Sequence, residues 1–301
     1  MSWVPLYVPD FILAPSFCCF LAVLSVTKDQ SLRTPFFKFF IVTGICGLST
    51  VVTHILMNRV IWPAYFFWMP DSLLLINQSG MMGATLGKFF IALHRYFVLK
   101  QAAVNEKIWS ANLVRLLIIL QISVPVLITG ICFSFGYVVQ SVSNGSISYN
   151  VASQGQIIQK FISNALIGAY VIVSIALTYL SSRKLNDLQV RLEGQSKRAV
   201  LRHQKNMFIV VAVCSLSHVL KAGQQSLIVI YSLNGKIDRS VYESLLWPTF
   251  VVTNGLATYA PPLILIYCSS RIRSLLFGRI TGVRDFGSSE QTVNSTVHTR
   301  H

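Results

Sequence analysis

The sequence predicts an all-α membrane protein: a bundle of seven transmembrane helices followed by a short amphipathic eighth helix. Three observations predict it. The chain of 301 residues is 53% hydrophobic and only 12% charged, where a soluble domain carries about a quarter charged residues. Its mean hydropathy is +0.59. The apolar residues come in seven blocks close to the about 20 residues that cross a bilayer. The charges gather in the short loops between those blocks, so the net charge of +15 reads as membrane topology and not as nucleic-acid binding.

Taken in order, segment one covers residues 6–26, with Pro9 and Pro15 as bends. Segment two covers 36–57, and segment three covers 72–99. Segment four covers 113–137, with Pro125 near its middle. Segments five, six and seven cover 161–180, 207–231 and 245–268. The eighth helix spans 270–279. Residues 1–280 make one membrane domain, and the polar, Ser/Thr-rich stretch 281–301 is expected to be a disordered tail. The start, Met-Ser-Trp-Val-Pro, lacks the basic region of a cleaved signal peptide.

Charge placement sets the orientation. With the N-terminus outside, 19 Lys and Arg residues fall on the cytoplasmic side. The outer side keeps four: Arg59, Lys160, Lys236 and Arg239. Lys88 and Lys221 lie within the membrane. An excess this large predicts a multi-pass plasma-membrane protein with its N-terminus extracellular and its C-terminus cytoplasmic. The sequon Asn144-Gly145-Ser146 then falls in the largest outer loop, which makes Asn144 a glycosylation candidate. Asn144-Gly145 also sits between alternating residues running from Val138 to Val151, the signature of a hairpin with a tight primed turn. A Ser/Asn-rich loop without order is the alternative. The sequon Asn294-Ser295-Thr296 falls on the inner side and should be unused. The aromatic outer loop with Trp62, Tyr65, Phe66, Phe67 and Trp68 reads mainly as interfacial belt.

Six cysteines show neither CxxC pairs nor metal-ligand spacing, so they read as reduced thiols. Cys268, at the inner end of segment seven, is a palmitoylation candidate. No cofactor or metal site emerges. There is no phosphate loop, no HExxH and no pair of intramembrane carboxylates, so an enzyme is not expected.

The remaining polar residues inside the segments fall at helical spacing. In segment three, Asn77, Met81, Ala84, Lys88 and Arg95 share one face, which must look into the bundle because lipid would penalise it. Gly80, Gly83, Ala84 and Gly87 allow neighbouring helices to approach closely. In segment six, His218, Lys221 and Gln225 share a face, with Gln224 beside them. At the inner end of that segment, Arg198, Arg202 and Lys205 form a basic face.

His94-Arg95-Tyr96 closes the third of seven segments. There it resembles the Asp/Glu-Arg-Tyr motif of G-protein-coupled receptors, with His94 in place of the acid. Tyr259-Ala260-Pro261-Pro262-Leu263-Ile264-Leu265-Ile266-Tyr267 resembles the Asn-Pro-x-x-Tyr region of seventh helices, with Ala260 in the Asn place. Cys-Ser-Ser-Arg-Ile-Arg-Ser-Leu-Leu-Phe after it is similar to the eighth helix. Ile272, Leu275, Leu276 and Ile280 are expected to face the bilayer, with Arg271, Arg273 and Arg279 at the headgroups. With Thr-Pro-Phe-Phe-Lys-Phe-Phe opening segment two, the chain resembles a nematode serpentine chemoreceptor, of class V or the related class G, up to about residue 280. The family's usual outer disulfide has no cysteines to form it here.

The resemblance implies a chemosensory receptor in contact with membrane lipid. It would take a small-molecule ligand from outside and activate a heterotrimeric G protein. Candidate ligand-binding residues are Asn77, Gln78, Met81, His218, Lys221, Gln224, Gln225 and Asn254, in a pocket between helices three, five, six and seven. Asn77 and Gln78 lie at a depth comparable to Lys221, His54 stands near the outer end of segment two, and Glu243 and Thr253 come with Asn254 from segment seven. Lys221 would anchor an anionic or carbonyl-bearing ligand; alternatively it snorkels outward or pairs with Glu243 or a carbonyl. Asn77 and Lys88 alternatively tie helices together. Candidate G-protein-coupling residues are His94, Arg95, Tyr96, Arg198, Arg202 and Lys205, whose basic members alternatively hold lipid headgroups. A transporter or ligand-gated channel is the other function class, motivated by Lys88 and Lys221.

Overall fold

The computed structural model describes residues 4–59, 66, 68–100, 108–134, 139–143, 146–150, 154–191, 195–233 and 247–281. Within these, the side chains at 4–9, 31, 58–59, 139–150, 154–157, 159–160, 187–191, 195–203, 228–229, 231–233, 247 and 279–281 lie outside the description. The helices are α1 (Val4–Val26), α2 (Pro35–Arg59), α3 (Met69–Lys100), α4 (Ala111–Ser134), α5 (Gln154–Arg191), α6 (Gln195–Leu233), α7 (Trp247–Cys268) and α8 (Ser270–Thr281). A hairpin of β1 (Val139–Ser143) and β2 (Ser146–Asn150) joins α4 to α5.

The protein is a helical membrane bundle. Five described helices hold stretches long and apolar enough to cross a bilayer: Pro35–Met57, Ala111–Ser134, Phe161–Asn186, Gln204–Leu227 and Pro248–Cys268. In α1 the apolar stretch Asp10–Val26 is shorter. α3 is ample in length, at 32 residues or roughly 48 Å, but less apolar. It can be, because it stands at the centre. It packs against α2, α4, α5 and α6, while α1 and α7 close the ring through each other and α2. Helices at the rim expose apolar side chains instead. Leu116, Ile119, Ile122, Leu127 and Ile131 on α4 all point outward. In water that face would be costly, and in lipid it is the stable arrangement.

α5 and α6 run well beyond the apolar blocks that mark them, to 38 and 39 residues. Hydropathy marks only the part immersed in lipid. No Gly or Pro falls between Gly168 and Gly194 to stop the polar continuation of α5.

The α2–α3 interface is the most extensive in the bundle, and glycine makes it possible. A Cβ on Gly80 would meet the Cys46 carbonyl oxygen at 2.8 Å and Ser49 Oγ at 2.6 Å. α2 opens with Pro35 at its first turn, where a missing N–H costs nothing. Phe36, Phe37, Phe39 and Phe40 then turn inward while Lys38 stays exposed. These rings seed the core at the Arg95 end of the bundle, with Phe39 5.5 Å from Phe90 and 5.8 Å from Trp109.

The hairpin pairs Val142 with Ile147 and Ser143 with Ser146. Gly145 and the glycosylation candidate Asn144, which stand between the strands in sequence, lie outside the described residues. The tail from 282 onward, Glu243, Trp62, Tyr65 and Phe67 also lie outside. All six cysteines are free.

The apolar face of α8 corrects an expectation. Ile272 is fully buried, and Leu275 and Leu276 pack against the same core cluster. The helix turns this face onto the bundle and not toward lipid, which Phe277 meets instead. Arg271 fastens it there: Nε and Nη2 donate to both carboxylate oxygens of Asp29, at 2.6 and 2.9 Å.

Candidate functional site

The polar face of α3 does look into the bundle: Asn77, Met81, Ala84, Lys88 and Arg95 are all buried. Down its length the neighbours change, and with them the chemistry.

Nearest the hairpin end, Asn77 turns toward α2. Its Nδ2 donates to the Thr50 carbonyl at 2.8 Å and to Thr53 Oγ1 at 3.1 Å. Both donor positions are used in tying α2 to α3. Gln78 is half-buried, and Gln225 Nε2 lies 4.0 Å from Met81 Sδ. Gln224 is buried, and neither of its amide atoms has a hydrogen-bond partner among the described residues. The His54 ring packs at a tilt against Phe250, 4.9 Å between centroids.

One turn to two turns deeper, a small cavity opens between α1, α2, α3, α6 and α7. Met81, Lys88, His218, Lys221 and Asn254 are on its wall. Four of the eight expected ligand residues therefore meet here. No described α5 residue lines it, so the cavity is displaced toward α1 and α2 from the expected place. Space open to water is about 30 Å³.

Lys88 Nζ donates to the Ala257 carbonyl at 2.5 Å and lies 3.5 Å from His218 Nδ1. That carbonyl is available because the residue four positions on is Pro261, which has no N–H to give it. His218 Nδ1 is also 3.2 Å from the Cys214 carbonyl, and the ring stands edge-on to Tyr170 at 4.9 Å. Lys221 Nζ donates to Asn254 Oδ1 at 2.7 Å. Lys221 therefore turns inward and does not snorkel. Three helices are joined here by two lysine side chains and neutral acceptors.

At the other end of α3 lies the His94-Arg95-Tyr96 stretch. The guanidinium of Arg95 sits over the Phe36 ring, 4.3 Å from its centroid. Its Nε makes no hydrogen bond among the described residues. His94 stands edge-on against Trp109 at 5.0 Å, and neither of its ring nitrogens has a hydrogen-bond partner among the described residues. Aromatic faces thus occupy the place where an acid would be. Tyr96 is half-buried, and Lys205 is exposed. A second cavity, bounded by Arg95, Leu99, Leu177, Ser181, Gln204 and Phe208, runs between α3, α5 and α6. Asn206 Nδ2 donates to the Cys268 carbonyl at 2.6 Å, binding α6 to the end of α7. The side chains of Arg198 and Arg202 lie outside the described residues.

The sequence profile of the Srg family chemoreceptors matches residues 6–276. The chain belongs to the Srg chemoreceptor family. It is thus a multi-pass membrane protein of a receptor family, in agreement with the serpentine chemoreceptor resemblance of its motifs. Comparison with curated proteins gives no match.

Four contributors to this Srg-family site are absent from the sequence reading. Phe36 and Trp109 hold Arg95 and His94, Ala257 receives Lys88, and Asn206 closes the Arg95 end. Only Ala257 carried a readable signal: it stands four residues before a proline within a helix. Phe36 comes from α2, Asn206 from α6 and Trp109 from the turn before α4, and their meeting depends on how the helices pack.

Proposed function

We propose that this Srg-family chain is a chemosensory receptor of the plasma membrane. It takes a small molecule from the extracellular side and activates a heterotrimeric G protein at the Arg95 end. The observation that carries this reading is the setting of Arg95. It is a buried cation at the end of the central helix, beside a cavity bounded by α5 and α6. A shift of α6 away from α7 breaks the Asn206–Cys268 bond and opens that cavity to a partner. The ligand-binding residues in this reading are the cavity-lining Met81, His218, Lys221 and Asn254, with Gln225 beside Met81. The excess of Lys and Arg in the loops at the Arg95 end supports a cytoplasmic setting for that end.

The test is nucleotide exchange on a panel of G proteins by the reconstituted chain, screened against small odorants and metabolites. Ligand-dependent exchange lost in Arg95→Ala, with normal surface delivery, supports the reading. Solute uptake or ionic current from the purified chain alone, without any G protein, would instead mark a transporter or channel.

A further inference from the structure

Two lysines reach one buried cavity, and no carboxylate among the described residues accompanies them on its wall. Lys88 and Lys221 are 6% and 5% exposed, one from α3 and the other from α6. Beside the thiol of Cys214, the remaining polar residues of the wall are Thr43, Thr50, His218, Asn254 and Thr258, and none of these five carries negative charge. Asp10, the buried carboxylate of α1, faces Tyr259 and is not on the wall.

An ammonium has three N–H groups to satisfy. Lys221 shows one acceptor, Asn254 Oδ1, and Lys88 shows the Ala257 carbonyl with His218 Nδ1 at the edge of range. These acceptors supply dipoles without a counter-charge. Two lysines that both keep their charge within a membrane bundle are strongly unfavourable unless something of opposite sign joins them; the alternative is that one gives up its proton. The space left beside them is about 30 Å³. A water needs about 10–15 Å³ by the same measure, so an occupant the size of two or three waters fits. A ligand needing several hundred Å³ does not fit whole.

We infer that this cavity binds a small monoanionic group between the ammonium groups of Lys88 and Lys221. The group is a halide ion, or the carboxylate end of a larger ligand whose body lies outside the cavity. The carboxylate source rests on the receptor reading above; the halide source does not.

The experiment uses the full chain, purified in detergent without G protein. Binding of radiolabelled chloride and the thermal unfolding midpoint are followed as chloride, bromide, acetate or sulfate is added at matched ionic strength. Saturable chloride binding, displaced by bromide but not by sulfate, assigns a dissolved halide. Displacement or stabilisation by acetate in place of halides assigns the carboxylate end of a ligand. Lys221→Met and Lys88→Met are each expected to weaken the response about tenfold or more, the scale of losing one partner of a buried charge pair. The same response from all four salts, with no saturable chloride binding to the unmodified chain, overturns the inference. That result needs no variant to fold. It also leaves G-protein coupling standing, because no G protein enters the measurement. Conversely, a chain that binds chloride yet never activates a G protein keeps the anion site and removes only the receptor reading.

Discussion

Lys88 Nζ meets the Ala257 carbonyl at 2.5 Å, and that oxygen is the one Pro261 deprives of its helical donor. A cation from the central helix thus replaces a peptide N–H missing from α7. The two residues are 169 positions apart in sequence, so the proline defect in one helix is repaired only after the bundle assembles.

Lys88→Met is expected to lower stability by about 1–3 kcal/mol, the cost of a buried acceptor left unbonded. Pro261→Ala returns an N–H to α7. Combined with Lys88→Met it should recover part of the loss, so the two changes will not add. Thermal unfolding of the four proteins in one detergent checks this cycle.

Phe36→Leu removes the ring beneath the Arg95 guanidinium, an attraction of about 2 kcal/mol when desolvated. The expected outcome is a higher ligand-independent rate of G-protein activation with little change in ligand affinity. Unchanged basal activity would mean the ring only fills space.

Asn77→Ala deletes two bonds from α3 to α2. At about 0.6–2 kcal/mol for an interhelical bond in a membrane, the unfolding midpoint should fall while ligand response survives. If the response disappears at full surface delivery, Asn77 serves a ligand and is more than a tie between helices.

Gly80→Val should block assembly, because even its Cβ would meet the Cys46 carbonyl oxygen at 2.8 Å. Gly223→Ala is the matched control on α6, where a Cβ meets nothing within 4 Å. It should be neutral or stabilise by about 0.5–1 kcal/mol. Surface delivery measured by fluorescence separates the two.

Much of the architecture was legible because lipid enforces simple rules. Apolar blocks located the helices, and the Asn144-Gly145 signal located the hairpin between α4 and α5. The inward face of α3 followed from spacing alone, since Asn77, Lys88 and Arg95 would be penalised anywhere else. Helix ends were less legible in α5 and α6, where the helix continues into water and hydropathy falls silent. The face of α8 was misjudged for a related reason. Ile272, Leu275 and Leu276 form an apolar stripe, but a stripe does not distinguish lipid from protein as its cover. The site was half legible. Lys221, His218 and Asn254 did converge, but their cavity opens toward α1 and α2, and Phe36 met Arg95 through packing that no local pattern encodes.

The Asp29–Arg271 clasp joins positions 242 residues apart. A ribosome has translated nearly the whole protein before the second partner exists. The turn after α1 therefore waits, without its permanent neighbour, until synthesis is almost over. A chain cut short before residue 271 cannot form this clasp.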